Sequence, residues 1–395
     1  MRVAHIVKQF INEVTPCMHK VRRQSLQASI SSLMSGADLS VTSLGRHIQS
    51  QTSEKHQIKR SMRLCSNSHL HQEIDTVYAM TTRRLIGQQA RPIILVDWSN
   101  LDTRKHHFLL RASLAVKGRS LTLLEQVYGN DEKEKPAIHK HFMTRLKNVL
   151  PDGCHPIIVT DAGFRVPWFR LVEALGFDYV GRVRNRTLCR QKDEPWLPIK
   201  TLYTEANTRP KDLGLFQLCR NQPIDCKMVV YKQKRLGRKH LNATGDKARL
   251  SALSRKHADR EKEPWLLATS LQKGHDFAKK IIKIYHSRMQ IEESFRDLKT
   301  GLGFAVSQTR QLLQLSVLLM IAMLTQAILF LVGLAIEASG KQRQYQANTV
   351  KDRPVLSYQY LGLRAVRDKW LSITKLQWQA ALLKLTEFSQ EHHNV

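Results

Sequence analysis

The sequence predicts an α/β protein whose sheet-forming middle is preceded by an all-helical N-terminal region and followed by a helical C-terminal one. Three observations carry this. Two apolar runs of strand length, IILV inside RPIILVDWSN (91–100) and PIIV inside HPIIVTDAG (155–163), read as buried strands. Between 91 and 185 such runs alternate with amphipathic helical segments. Residues 1–90 read as helical, and 311–395 open on a long apolar helix.

Within 1–90, QSLQASISSLMSG (24–36) reads as a helix closed by Gly36. Thr42 can cap SLGRHIQS (43–50), and Ser53 can cap EKHQIKRSMRLC (54–65). Two short helices joined by a polar turn resemble a helix-turn-helix. The second carries Lys55, Lys59, Arg60 and Arg63, mostly one turn apart, a face suited to DNA phosphates and some bases. Many small helical bundles carry the same kind of basic face.

From 91 the first buried strand is followed by HHFLLRASLAVKG (106–118) and RSLTLLEQVYG (119–129), two strands with Gly turns that suggest an antiparallel meander. KPAIHKHFMTRLKNVL (135–150) is an amphipathic helix ending near Pro151. A buried strand (155–163), a helix (165–176) and a strand (177–185) follow. Three meander strands and then helix, strand, helix, strand is the layout of a ribonuclease H-like core. That core is expected over 91–310, with a β-rich insertion at about 186–262 that includes PIKTLYTEA, GLFQLCR and CKMVVYKQK. The insertion ends strongly basic: from Lys227 to Lys262 there are twelve Lys or Arg against Asp246, Asp259 and Glu261. Its shortage of apolar residues predicts a mobile or DNA-ordered loop. PWLLATS (264–270) returns as a strand, and 275–301 reads as one long helix closed by Gly301.

The segment 311–336 carries no charge and exceeds the roughly 18 apolar residues of a membrane-span candidate. Gln311, Gln314, Ser316, Thr325 and Gln326 recur inside it, and the chain before it is of α/β type. A core helix apolar all round is therefore the preferred reading over a membrane one. The rest of 311–395 is expected to be helical and to serve dimerisation.

Lys and Arg total 63 against 33 Asp and Glu, a formal net charge of +30. An excess of this size, spread through the chain, points to a polyanion, and to nucleic acid before membrane. Six scattered cysteines form no CxxC pair, and His69 and His71 have no cysteine pair beside them to complete a zinc site. Reduced thiols and an N-terminal segment without a signal-type apolar core fit a cytoplasmic protein.

Three acids stand out. Asp97 and Asp161 each follow a buried apolar run, at the carboxyl edge of the predicted sheet, where α/β proteins place their sites. Either alone could be an acidic turn residue, as Asp102 is. On a helix turning about 100° per residue, Tyr285, Arg288, Glu292, Arg296 and Lys299 share one stripe. Glu292 then lies between that stripe and the apolar face, while Glu293 and Asp297 rotate toward solvent. Ordinary salt bridges one turn apart would explain the stripe by itself. Joined to two strand-end aspartates, it predicts three carboxylates holding two divalent cations about 3.5–4 Å apart. Oxygen ligands suit Mg²⁺, with Mn²⁺ as substitute, and the expected chemistry is phosphodiester hydrolysis or transesterification.

Tyr285-x2-Arg288-x3-Glu292-x6-Lys299 resembles the Tyr-Arg-Glu-Lys signature of the bacterial insertion-sequence transposases called the IS-four family. The blocks IILVDWSN and IIVTDAGFRVPW also resemble that family, and the likeness runs from LGRHI to QANTVKDRPVLS. It is closest to the cut-and-paste enzymes of composite antibiotic-resistance transposons. The resemblance implies binding to terminal inverted repeats, pairing of two ends in a homodimeric synaptic complex, and cleavage in trans. It further implies release of the element through a hairpin and joining of its 3′ ends to target DNA. Tyr285, Arg288 and Lys299 would contact the transposon end. Trp265 matches the place of a tryptophan that takes part in base flipping, although the sequence alone reads it as a core aromatic at a strand start. The rivals are a catalytically silent transposase-derived DNA-binding protein and a membrane-bound nuclease built on 311–336.

Overall fold

The computed structural model describes residues 2–102, 106–184, 187–233, 251, 263–347, 349–350, 352–368 and 371–390. Most of the basic end of the insertion lies outside the described residues. The chain divides into two compact units: one is the chain through Pro156 together with the chain from Arg288 onward, the other is Ile157–Ser287.

The first unit opens with five helices: α1 (Val3–Val14), α2 (Lys20–Ser35), α3 (Val41–Arg46), α4 (Glu54–Cys65) and α5 (Ser68–Ile86). Gly36 ends α2 with φ 126°, a conformation only glycine adopts without strain. Two expected caps are corrected. Ser40, not Thr42, caps α3 by accepting from the Ser43 amide at 3.2 Å. Ser53 precedes α4, but its hydroxyl pairs with His56 Nδ1 at 2.9 Å instead of a backbone amide. Strands β1 (Ile93–Asn100), β2 (His107–Ala115) and β3 (Ser120–Gly129) form the expected antiparallel meander, and α6 (Pro136–Val149) follows.

The second unit contains β4 (Ile157–Thr160), α7 (Val166–Ala174), β5 (Asp178–Arg182), β6 (Leu188–Arg190), β7 (Leu197–Pro198), β8 (Lys211–Leu218), β9 (Ile224–Tyr231), β10 (Trp265–Thr269) and α8 (Phe277–His286). Its strands run in the order β4-β5-β10-β9-β8-β6-β7. Among its described strands only β4 and β5 pair in parallel, joined by α7, as a parallel pair requires a crossover. The run PIKTLYTEA is corrected: Ile199–Glu205 is a 3₁₀ helix, not a strand.

The chain returns to the first unit with α9 (Met289–Arg296), which packs on β1, β2 and β3, then α10 (Leu312–Ala338), α11 (Tyr358–Val366) and α12 (Lys375–Gln390). The α10 helix is long and apolar enough to cross a membrane by length and composition, yet its most apolar stretch is entirely buried. It packs against α2, α4, α5, α11, α12 and β3 as a core helix does. It meets α11 backbone to backbone, because any Cβ on Gly333 would fall 2.0 Å from the Tyr358 carbonyl oxygen.

Candidate active site

One expectation fails at the outset: residues 275–301 are not a single helix. The chain stays right-handed at Ser287 and Arg288, but α8 ends at His286 and α9 starts at Met289. The Ser287 hydroxyl donates to the Ile284 carbonyl at 2.7 Å, drawing that acceptor away from the i→i+4 ladder. Beyond α9, Asp297–Gly301 widens into a π turn. A stripe spaced at a constant 100° therefore does not describe these residues.

In the first unit, Asp97 lies in β1 with its side chain 15% exposed, and Glu292 lies in the first turn of α9 with 45% exposed. Arg288 bridges them. Its Nη2 donates to Glu292 Oε1 at 2.6 Å, and its Nη1 stands 3.6 Å from Asp97 Oδ2. Both carboxylates thus already converge on one positive group. Asp97 Oδ1 also accepts from the Trp98 amide at 2.8 Å, which fixes its rotamer. Lys299 reaches β1 from the π turn, donating from Nζ to Ser99 Oγ at 2.8 Å. Burial first, and then the Arg111 charge, hold the Lys299 ammonium below its ordinary pKa.

Glu293 and Asp297 do not point to open solvent as expected. Arg119, at the start of the β3 hairpin arm, donates from Nε to Asp297 at 2.6 Å and lies 3.6 Å from Glu293. The apolar and helical patterns of the sequence do not single out this arginine, nor the fully buried pair Arg111–Glu125 at 2.6 Å. A single charged residue inside each otherwise apolar strand, HFLLRASLA and SLTLLEQVY, was the available signal.

In the second unit, Asp161 directly follows β4 and is half-buried, its Oδ1 accepting from the Gly163 amide at 2.8 Å. A Cβ at Gly163 would stand 3.0 Å from that oxygen, which would have to give by a few tenths of an ångström. Trp265 opens β10 half-buried among aromatic rings. Its ring centroid lies 4.9 Å from Tyr285, 4.8 Å from His286 and 5.8 Å from Tyr231, all edge-on. Burial lowers the His286 pKa, which favours the neutral ring. Arg182 and Arg184 pin the strand start: Arg182 Nη2 donates to the Pro264 carbonyl at 3.3 Å, and Arg184 Nε to Glu263 at 2.8 Å.

On α4, Lys55, Lys59 and Arg63 are exposed. Arg60 is half-buried and donates from Nε to Ser25 Oγ of α2 at 3.1 Å, so it braces the helix pair.

Among the described residues, no group of three His, Cys, Asp or Glu is placed to hold a metal ion. The donor chemistry nevertheless suits a hard divalent cation. Asp97 and Glu292 offer only oxygens, and the guanidinium between them is a stand-in positive charge.

The profile of the transposase DDE domain matches residues 88–328, more than half of the chain, and spans all three candidate carboxylates. The chain belongs to the DDE transposase family. No curated protein matches it. Family membership makes it a transposase, an enzyme that acts on DNA, and DDE transposases generally use divalent metal ions.

Proposed function

We propose that this DDE transposase works by cut and paste, with Asp97, Asp161 and Glu292 as its catalytic and metal-holding carboxylates. Convergence of Asp97 and Glu292 on the Arg288 guanidinium is the observation that carries the reading, because two acids aimed at one cation suit metal ligation better than isolated surface charges do. The core around them would be ribonuclease H-like, with residues 1–90 binding the element's ends and 311–395 contributing a core helix and dimer contacts.

The three carboxylates would hold two Mg²⁺ ions, or Mn²⁺ in their place. When bound, such ions lower the pKa of an attacking water or 3′-hydroxyl and stabilise the leaving 3′ oxygen. The chain's own residues supply the rest. Arg288 presents a planar fork of donors that can pass from carboxylate to phosphate, a geometry lysine lacks. Lys299, oriented by Ser99, offers a second cation to the DNA backbone. Tyr285 can donate to a phosphate near the scissile bond. The Trp265 indole can stack an extruded base during hairpin formation. Lys55, Lys59 and Arg63 would meet phosphates of the inverted repeat, with Arg60 bracing their helix. Partners would be the terminal inverted repeats, target DNA and a second copy of this chain in the synaptic complex. Assignment to the IS-four family, near the resistance-transposon enzymes, rests on the Tyr285, Arg288, Glu292 and Lys299 spacing.

The test uses DNA carrying the inverted repeats that flank the reading frame. The unmodified chain should cut it in Mg²⁺ and leave a hairpin on the element end, and Asp97→Asn should bind it without cutting. Equal binding with no cleavage by the unmodified chain would reduce the protein to a silent DNA-binding relative.

A further inference from the structure

We propose that Arg111 is a positioning residue for Asp97 and Glu292, held by Glu125 so that its buried guanidinium fixes α9 over the strand that carries Asp97. Arg111 sits opposite Asp97 in the β1–β2 register and opposite Glu125 in the β2–β3 register. Directly opposed residues point to the same face of a sheet, so the three form one row. On one side Arg111 Nε donates to Glu125 Oε2 at 2.8 Å. On the other its Nη1 donates to Ser294 Oγ at 3.1 Å, two residues beyond Glu292, and its guanidinium carbon lies 4.8 Å from the Phe295 ring centroid. Tyr78 of α5 donates to Glu125 Oε1 at 3.3 Å and closes the network from the helical region.

Stability is a weak explanation for this arrangement. Both side chains are fully buried, and a buried ion pair is often matched or bettered by well-packed apolar residues of similar volume. A directional function does explain it. An apolar pair would fill the space but leave α9 free to rotate or slide, whereas the guanidinium has bonds of fixed direction on both sides. Two further ties act on the same helix and on the residue that follows it. Gln290 Oε1 accepts from the Val116 amide at 3.0 Å, and Asp297 accepts from Arg119 at 2.6 Å. Gln290 and Ser294, one turn apart on α9, share a face and so set its rotation and hence the direction in which Glu292 leaves it, while Asp297 anchors the chain directly after the helix.

The inference rests on reading Asp97 and Glu292 as the reacting-site carboxylates. Its experiment compares the full-length protein with Arg111→Met/Glu125→Leu, Ser294→Ala and Glu292→Gln. Amide hydrogen exchange over 289–296 is measured in the metal-free protein, and single-turnover cleavage in Mg²⁺ at saturating DNA. The double variant should keep its thermal midpoint and DNA affinity, exchange about tenfold faster across α9, and cleave about 30-fold more slowly, since displacement of an active-site group by about 1 Å can cost about 10²-fold. Ser294→Ala cuts only the tether, should shift both readouts by about three- to tenfold, and carries the test if the double variant does not fold. Exchange or cleavage within twofold of the unmodified protein in the folded variant overturns the proposal. Glu292→Gln separates the two readings: normal cleavage by that variant would sink the site assignment, while exchange across α9 would still report on Arg111.

Discussion

The two units treat their candidate functional residues in opposite ways. In the first, Asp97 and Glu292 are held by charge: Arg288 between them, Lys299 on Ser99 beside them, Arg111–Glu125 against α9, and Arg119 on Glu293 and Asp297. In the second, Asp161 is oriented by its own turn, while Trp265 stands among Tyr231, Tyr285 and His286 through ring edges that have no single preferred hydrogen-bond direction. Ionic hydrogen bonds fix position and angle, which suits the metal-holding role proposed for Asp97 and Glu292. Edge-on aromatic contacts tolerate rotation, which suits the base stacking proposed for Trp265.

The largest test of that contrast removes the carboxylates one by one. Asp97→Asn and Glu292→Gln should each lower cleavage by about 10³-fold or more, because a metal site with one ligand lost supports little phosphoryl transfer. Asp161→Asn should match them although it lies in the other unit. A loss below about tenfold would remove Asp161 from the site and leave the first unit as its sole source of carboxylates.

Trp265→Ala should give a smaller and later effect. Base stacking on an aromatic is worth about 1–3 kcal/mol, so hairpin formation should slow by about 5- to 150-fold while the first nick stays within about threefold. Trp265→Phe should recover most of the loss, as a stacking surface would and a hydrogen bond from the indole would not. Equal slowing of both steps would assign Trp265 to holding the strand instead.

Packing offers the next comparison. A Cβ at Gly362 of α11 would lie 1.9 Å from the Leu329 carbonyl oxygen, and one at Gly181 of β5 would lie 2.3 Å from the Phe169 ring. Backbone cannot step aside as a ring edge can. Gly362→Ala should therefore cost about 3 kcal/mol and Gly181→Ala about 1–2 kcal/mol, read from denaturant midpoints. The reverse order would show that the long α10–α11 contact adjusts more readily than the sheet of the second unit.

These positions also show what the sequence made visible. The meander, the helix at 136–149 and the strand–helix–strand at 157–182 follow from apolar runs with Gly and Pro punctuation, and all are present. The apolar run at 312–338 could be read two ways, and tertiary burial decided between them. The break at Ser287 was invisible because neither glycine nor proline marks it, only a serine whose hydroxyl bonds the Ile284 carbonyl. Arg111 and Glu125 were hidden because only strand register puts residues fourteen apart in contact. The solvent-facing roles expected for Glu293 and Asp297 failed for the same reason, since Arg119 lies far away in sequence.

The smallest effect separates two histidines. In the first unit, His139 Nε2 accepts from Trp98 Nε1 at 3.2 Å, which requires a neutral ring, and burial pushes its pKa down to about 4 from 6.5. In the second, burial lowers His286 as well, among the rings of Trp265 and Tyr231. A folded-state pKa below the unfolded one means that the unfolded chain binds more protons in between, so stability falls as pH drops from about 6.5 toward 4. Discounted for partial solvent access, His139 accounts for about 1–2 kcal/mol of that loss, or a few degrees of thermal midpoint. His139→Leu should flatten the midpoint-against-pH curve over this window more than His286→Leu does. An equal flattening by both would mean that the aromatic cluster excludes protons as firmly as the Trp98 hydrogen bond, and that the second unit is more rigid than its ring-edge contacts imply.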